Sequence, residues 1–91
     1  MNKKFTITVY ADPGHAWGKV KREVLLGLGV EHLISEYSYQ LRNNVYLEED
    51  CDLGLVHRAL VLAGCNVVYR EKTSNNDSKI RGYERFSSLL K

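Results

Sequence analysis

The stretch Val45-Tyr46-Leu47-Glu48-Glu49-Asp50-Cys51-Asp52-Leu53-Gly54-Leu55-Val56-His57-Arg58-Ala59-Leu60 changes its hydrophobic period part-way along. Val45 to Glu48 is short, aromatic and β-branched, the composition of a strand. From Leu53 the apolar positions fall three and four apart, at Leu53, Val56, Leu60 and Ala63, with Leu55, Ala59 and Leu62 widening the stripe. That spacing predicts an amphipathic helix over 53–63, closed by Gly64. Asp50 or Asp52 is the expected N-cap, because a short carboxylate there can accept a hydrogen bond from free amides of the first turn. The acidic segment is therefore read as a strand-to-helix junction.

Working back towards the N-terminus, Glu36-Tyr37-Ser38-Tyr39-Gln40 alternates as a strand, and Arg42-Asn43-Asn44 supplies a bend that makes it the hairpin partner of Val45–Glu48. Glu23 to Leu28 predicts a short helix that stops at Gly29. Phe5, Ile7 and Val9 alternate with Thr6, Thr8 and Tyr10 as a strand with one wetter face. Asp12-Pro13-Gly14 is a turn, in which Pro13 fixes φ and Asp12 can accept a local amide, so Ala16–Val20 returns as a second strand. Beyond Gly64, Asn66–Arg70 is a strand, 73–78 a flexible polar loop, and Ile80, Tyr83, Phe86, Leu89 and Leu90 a short terminal helix. The whole reads ββαββαβ, an α+β domain over 1–91 with one sheet and two main helices packed on it.

With 91 residues, 44% of them hydrophobic, the chain can build one core and has no room for a second. A formal charge of +2, from 13 Lys and Arg against 11 Asp and Glu, lacks the basic excess of a protein that grips many phosphates. Nucleic acid is left open on that ground rather than favoured, since Lys19, Lys21, Arg22, Arg42, Arg70, Lys72, Lys79, Arg81 and Arg85 are scattered and only folding could merge them. No apolar run approaches the roughly 20 residues of a membrane span, and Thr6, Thr8, Tyr10 and Asp12 interrupt the start before a leader could form. A cytoplasmic protein with free thiols and no membrane partner is expected, and a monomer and a homodimer both fit its length. Cys51 and Cys65 flank the second helix as buried small residues; with three dispersed histidines they make no structural zinc site, which takes about four ligands.

Two features carry chemistry. In the acidic segment, nearby carboxylates can share a hard cation and polarise a phosphate. Strand alternation sends Glu48 and Glu49 to opposite faces, whereas the turn can bring Glu49 together with Asp50 or Asp52, and His15 could join them as ligand or base. A Mg- or Mn-dependent phosphoester hydrolase or nuclease using His15, Glu49, Asp50 and Asp52 is the catalytic alternative. Helix capping and solvated surface charge are the simpler use of the same residues, and no metalloprotease helix, EF-hand, phosphate-binding glycine loop or nucleophile elbow accompanies them.

The second feature is aromatic. Asp12-Pro13-Gly14-His15-Ala16-Trp17 presents the only tryptophan beside a turn, either as a contact loop or as cover for a small core. Tyr37, Tyr39 and Tyr46 could extend it into a recognition patch, phenols giving apolar area and a polar tip together. Non-catalytic binding is favoured, with Trp17, Tyr37, Tyr39 and Tyr46 as anchors and Glu49, Asp50 or Asp52 orienting a basic partner, and with no cofactor.

Together, Asp12-Pro13-Gly14-His15-Ala16-Trp17, Tyr37-Ser38-Tyr39 and Tyr46-Leu47-Glu48-Glu49-Asp50-Cys51-Asp52 resemble a family of small uncharacterised proteins of bacteriophages, prophages and other bacterial mobile elements. The likeness runs from about Phe5 to Tyr83 and brings no catalytic residue with it. It implies an accessory protein that occupies the surface of a host protein or complex, an inhibitor of a defence protein being one form.

Overall fold

Phe5, Ile7 and Val9 point to one face of a nine-residue strand in the structure, a computed structural model that describes residues 3–90. The elements are β1 (Lys3–Ala11), β2 (Ala16–Lys21), α1 (Arg22–Gly27), β3 (Tyr39–Leu41), β4 (Asn44–Glu48), α2 (Leu53–Leu62), β5 (Cys65–Thr73) and β6 (Glu84–Arg85). Turns of 3-10 helix lie at Glu31–Leu33 and Lys79–Gly82. The strands make one sheet in the order β5-β1-β2-β4-β3-β6, parallel between β1 and β5 and antiparallel elsewhere. This is the α+β class expected.

Sheet register divides the core into two layers. Ile7, Val20, Leu25, Val45, Leu47, Val56 and Leu60 pack together between the sheet and the helices. Trp17, Tyr46 and Ile80, with Tyr10, Tyr39 and Tyr83, form a smaller cluster on the opposite face. Helix α2 lies so close to β2 that a β-carbon on Gly18 would stand 2.6 Å from Leu53 Cδ1 and 3.1 Å from Ile7 Cγ2. The bare backbone of Gly18 is what admits the first turn of α2.

Both helices end where glycine permits a positive φ, +74° at Gly29 and +91° at Gly64. Other expectations are corrected. The 36–40 strand begins only at Tyr39, because Ser35 and Ser38 both bond the Asp52 carboxylate and hold the segment between them in a turn. The terminal helix over Ile80–Leu90 does not form. Its apolar residues serve two layers: Ile80 and Tyr83 join the aromatic cluster, while Phe86 reaches the helix-side core. The chain passes round the edge of the sheet through β6 and is fixed there by Phe86 N–H to Ser38 O at 2.9 Å. A single helix cannot supply both faces of a sheet. The polar 73–78 segment is tied at both ends, by Ser74 N–H to Ala11 O and by Ser78 N–H to Asp12 Oδ2. Among the described residues no helix is long and apolar enough to cross a membrane.

Candidate functional site

The β1–β2 turn is organised by Asp12, whose side chain is inaccessible to solvent. Its Oδ1 accepts from the amides of Gly14 and His15, each at 3.0 Å, and its Oδ2 accepts from Ser78 N–H at 2.8 Å. Arg81 completes the set as a two-pronged donor, Nε to Oδ2 at 2.7 Å and Nη2 to Oδ1 at 2.9 Å. The Arg81 guanidinium, aided by these amides against the cost of burial, holds the Asp12 carboxyl far below the ordinary carboxylate range. Arg81 in turn lies over the Trp17 ring, 5.3 Å from its centroid. This wiring sets the position of His15 and Trp17.

At the end of β4 the chain turns through residues 49–52 before α2 begins. Glu48 is the hub of that turn. Its Oε1 accepts from Asp50 N–H at 2.8 Å and Cys51 N–H at 3.0 Å, and its Oε2 stands 3.3 Å from His15 Nδ1. Asp50 and Asp52 therefore do not cap α2 as expected: Glu48 takes amides of the junction, and Asp52, only 2% exposed, turns inward to accept from Ser35 N–H, Ser35 Oγ and Ser38 Oγ. Asp50 stays at the surface.

Of the catalytic set His15, Glu49, Asp50 and Asp52, only His15 and Glu49 come together, and Glu48 is their third member. One ligand atom from each of His15, Glu48 and Glu49 lies within 4.8 Å of the other two. The strand stops at Glu48, so alternation no longer separates it from Glu49. Partial desolvation, then the charges of Asp50 and Glu48, raise the Glu49 carboxyl above its ordinary value, and His15 offsets part of this.

A cleft of about 410 Å³ opens here, with His15, Trp17, Tyr37, Tyr39, Glu48 and Asp50 in its wall. Cys51, Arg81 and Arg85 complete it. Tyr37 is 60% exposed, and Arg85 stacks on Tyr39 at 4.9 Å from the ring centroid. Trp17 and Tyr46 are not free anchors: Trp17 is 2% and Tyr46 7% exposed, the first packed edge-on to Tyr39, the second against Tyr10 and Tyr83. Trp17 nevertheless keeps a buried indole N–H for which the described residues offer no acceptor. Cys51 is exposed rather than buried, and Cys65 half-buried; both are free thiols. Partial desolvation of the sulfur and then the neighbouring Glu48 raise the Cys51 thiol, which keeps it protonated and a weak nucleophile.

Comparison with protein-family models, curated proteins and solved structures finds no match. The site is therefore argued from its own chemistry. Arg81 and Arg85 could not be found from local sequence, since the partner of Arg81 lies 69 positions away and Arg85 reaches the cleft only because the chain rounds the sheet edge. Glu48 was visible within the acidic run, but its role as hub depends on the turn.

Proposed function

We propose that the chain is a small binding protein of a phage or mobile element that acts in the cytoplasm by occupying the surface of a host or defence protein, as an inhibitor, through the cleft around Glu48. One observation carries this reading: the three segments that resemble the mobile-element family, distant in sequence, meet in that cleft. Its chemistry suits a protruding polypeptide segment. Tyr37 offers exposed aromatic area, Glu48 and Asp50 accept, and Arg85 donates. Glu48 and the Asp12–Arg81 pair are fixed by several bonds each, so binding orders few side chains and loses little entropy. The test is affinity capture from bacterial lysate with the natural chain and Tyr37→Ala and Asp50→Lys as baits. A partner retained by the first and lost from both variants, with affinity weakened about 30-fold or more, is the expected result. Equal retention by all three baits removes the cleft from the interaction.

The cluster of His15, Glu48 and Glu49 favours a second reading, metal-assisted phosphoester hydrolysis. Three protein donors would leave coordination positions for water and a phosphate oxygen, and an imidazole among them suits Mn²⁺ better than Mg²⁺. Titration calorimetry with Mn²⁺ and with Mg²⁺ decides it: binding of Mn²⁺ that Glu49→Gln and His15→Ala each abolish supports this reading, and no heat at millimolar metal removes it.

A further inference from the structure

The net charge of +2 conceals a separation that only the fold makes visible. Register puts Lys4, Thr6, Thr8 and Tyr10 of β1 on the same face as Asn66, Val68, Arg70 and Lys72 of β5. On β2, Lys19 pairs across from Thr8 and Trp17 from Tyr10, so Lys19 and, by alternation, Lys21 share this face. Both helices pack on the other side. The C-terminal segment covers the other end of this face, over Trp17, Tyr46 and the adjoining side of Tyr10, and Lys79 lies at the margin of that cover, beside Lys19. The open half thus presents Lys4, Lys19, Lys21, Arg70 and Lys72, with no acidic side chain at any same-face position of the three strands. Among the described residues no carboxylate pairs with any of the five. Of the eleven acidic side chains, Asp12, Glu31, Glu48 and Asp52 are buried in networks of their own, and Glu71 alternates to the helix side of β5.

We infer that this open sheet face binds single-stranded nucleic acid through its phosphate backbone. Five unpaired cations on one surface form the electrostatic footprint of a polyanion, and the hydroxyls of Thr6 and Thr8 and the amides of Asn44 and Asn66 add neutral donors that suit phosphate oxygens. The pairing of β1 with β2 runs only from Thr8–Lys19 to Ala11–Ala16, and beyond it the strands diverge into a groove of about 450 Å³, with Thr6, Thr8, Lys19 and Lys21 at its polar rim and Phe5, Val20 and Val24 as its apolar floor. Such a groove admits one strand, whereas reading a duplex calls for a helix or ribbon standing proud of the surface. Tyr10, with Lys72 Nζ 5.9 Å from its ring centroid, is half-buried against Tyr46, and Phe5 in the same groove is half-buried against the helix-side core, so base stacking contributes little and sequence preference is weak. The partner is distinct from the one in the cleft and the surface lies apart from it.

Fluorescence anisotropy with a labelled oligothymidylate, a duplex of equal length and vesicles rich in anionic lipid, at several salt concentrations, tests this. The oligothymidylate binds, and its log K falls against log salt with a slope of about −3 to −4, from five phosphate contacts at about 0.7 each. Lys19→Glu/Lys21→Glu and Arg70→Glu/Lys72→Glu, each checked for unchanged melting, weaken it about tenfold or more and flatten the slope. Tyr37→Ala in the cleft leaves it unchanged, which keeps the test separate from that of the cleft. Absence of binding at low salt, equal binding by folded charge-reversal variants, or tighter binding of duplex or vesicles than of the single strand would overturn the inference.

Discussion

Asp12 and Asp52 are both buried aspartates, and their partners give them different sensitivities. The Asp12 carboxyl is held well below its ordinary range by Arg81 first and by the amides of Ser78, His15 and Gly14. An unfolded aspartate, with a pKa of about 3.9, binds protons more readily than this folded one, so the pair stabilises fully above that value and the contribution falls as pH drops below about 4. Glu31, lowered by Ser88, Leu89 and Arg22 despite its burial, loses stability in the same direction. The expected outcome is a melting temperature that falls steeply below about pH 4 and falls less in Asp12→Asn, which has already lost the ion pair; identical acid profiles would remove Asp12 from the account. Asp52→Ala strands the hydroxyls of Ser35 and Ser38 and costs about 2–4 kcal/mol in urea unfolding, whereas Asp50→Ala, at the exposed surface, costs less than about 0.5 kcal/mol. The sequence identified Asp12 as a turn acceptor because its amide partners are two and three positions away. It could not identify the inward role of Asp52, whose partners are 14 and 17 positions away and whose own position reads as a cap.

Elements were legible where one period meets one environment. Helix α2 presents one apolar face to one layer, and strands β1 and β4 alternate strictly between the two sides of the sheet, so three-four spacing or alternation recovered them to within a residue or two. The C-terminal segment defeated the same reading because Ile80, Tyr83 and Phe86, spaced as on a helix, are divided between the two faces of the sheet. Phe86 is 6% exposed and has the Arg22 guanidinium 4.8 Å from its ring centroid, with Arg22 also bonded to Glu31 and Gln40. Phe86→Ala accordingly costs about 3–5 kcal/mol, while Leu89→Ala, 68% exposed, changes stability by less than about 0.5 kcal/mol. A terminal helix would instead make both losses comparable, and chemical denaturation of the two variants separates the cases. At the α2–β2 contact, Gly18→Ala forces Leu53 and Ile7 aside. The Leu53 tip can rotate, so the cost is about 1–2 kcal/mol rather than a failure to fold.

At the scale of the whole molecule, the sheet has a free edge at β5, and its charges bear on whether two copies can join there. Tyr69 in the middle of β5 stacks on His57, with ring centroids 5.7 Å apart and a hydrogen bond between the phenol oxygen and Nδ1 at 2.6 Å, so helix α2 shields part of the strand. Beyond it Arg70, Glu71 and Lys72 are exposed. A two-fold antiparallel pairing of β5 with its copy would keep each face continuous across the joint. Arg70 and Lys72 would then meet the same two cations of the second copy, and Glu71 would approach its own equivalent when the pairing centres there. Like charges directly opposite one another destabilise strand pairing, and charged residues are a common means of blocking an edge. The expected state is therefore a monomer in sedimentation equilibrium at moderate salt. Arg70→Thr/Lys72→Thr, which removes the repulsion and raises β propensity, should associate in a concentration-dependent way that leaves melting of the domain otherwise intact. Salt distinguishes the cause, since screening at about 1 M shortens the reach of the repulsion to about 3 Å and should bring the natural chain part of the way towards the variant. A natural chain already dimeric at low salt, where the repulsion is strongest, would mean that another surface joins the copies and that the charges of β5 do not govern assembly.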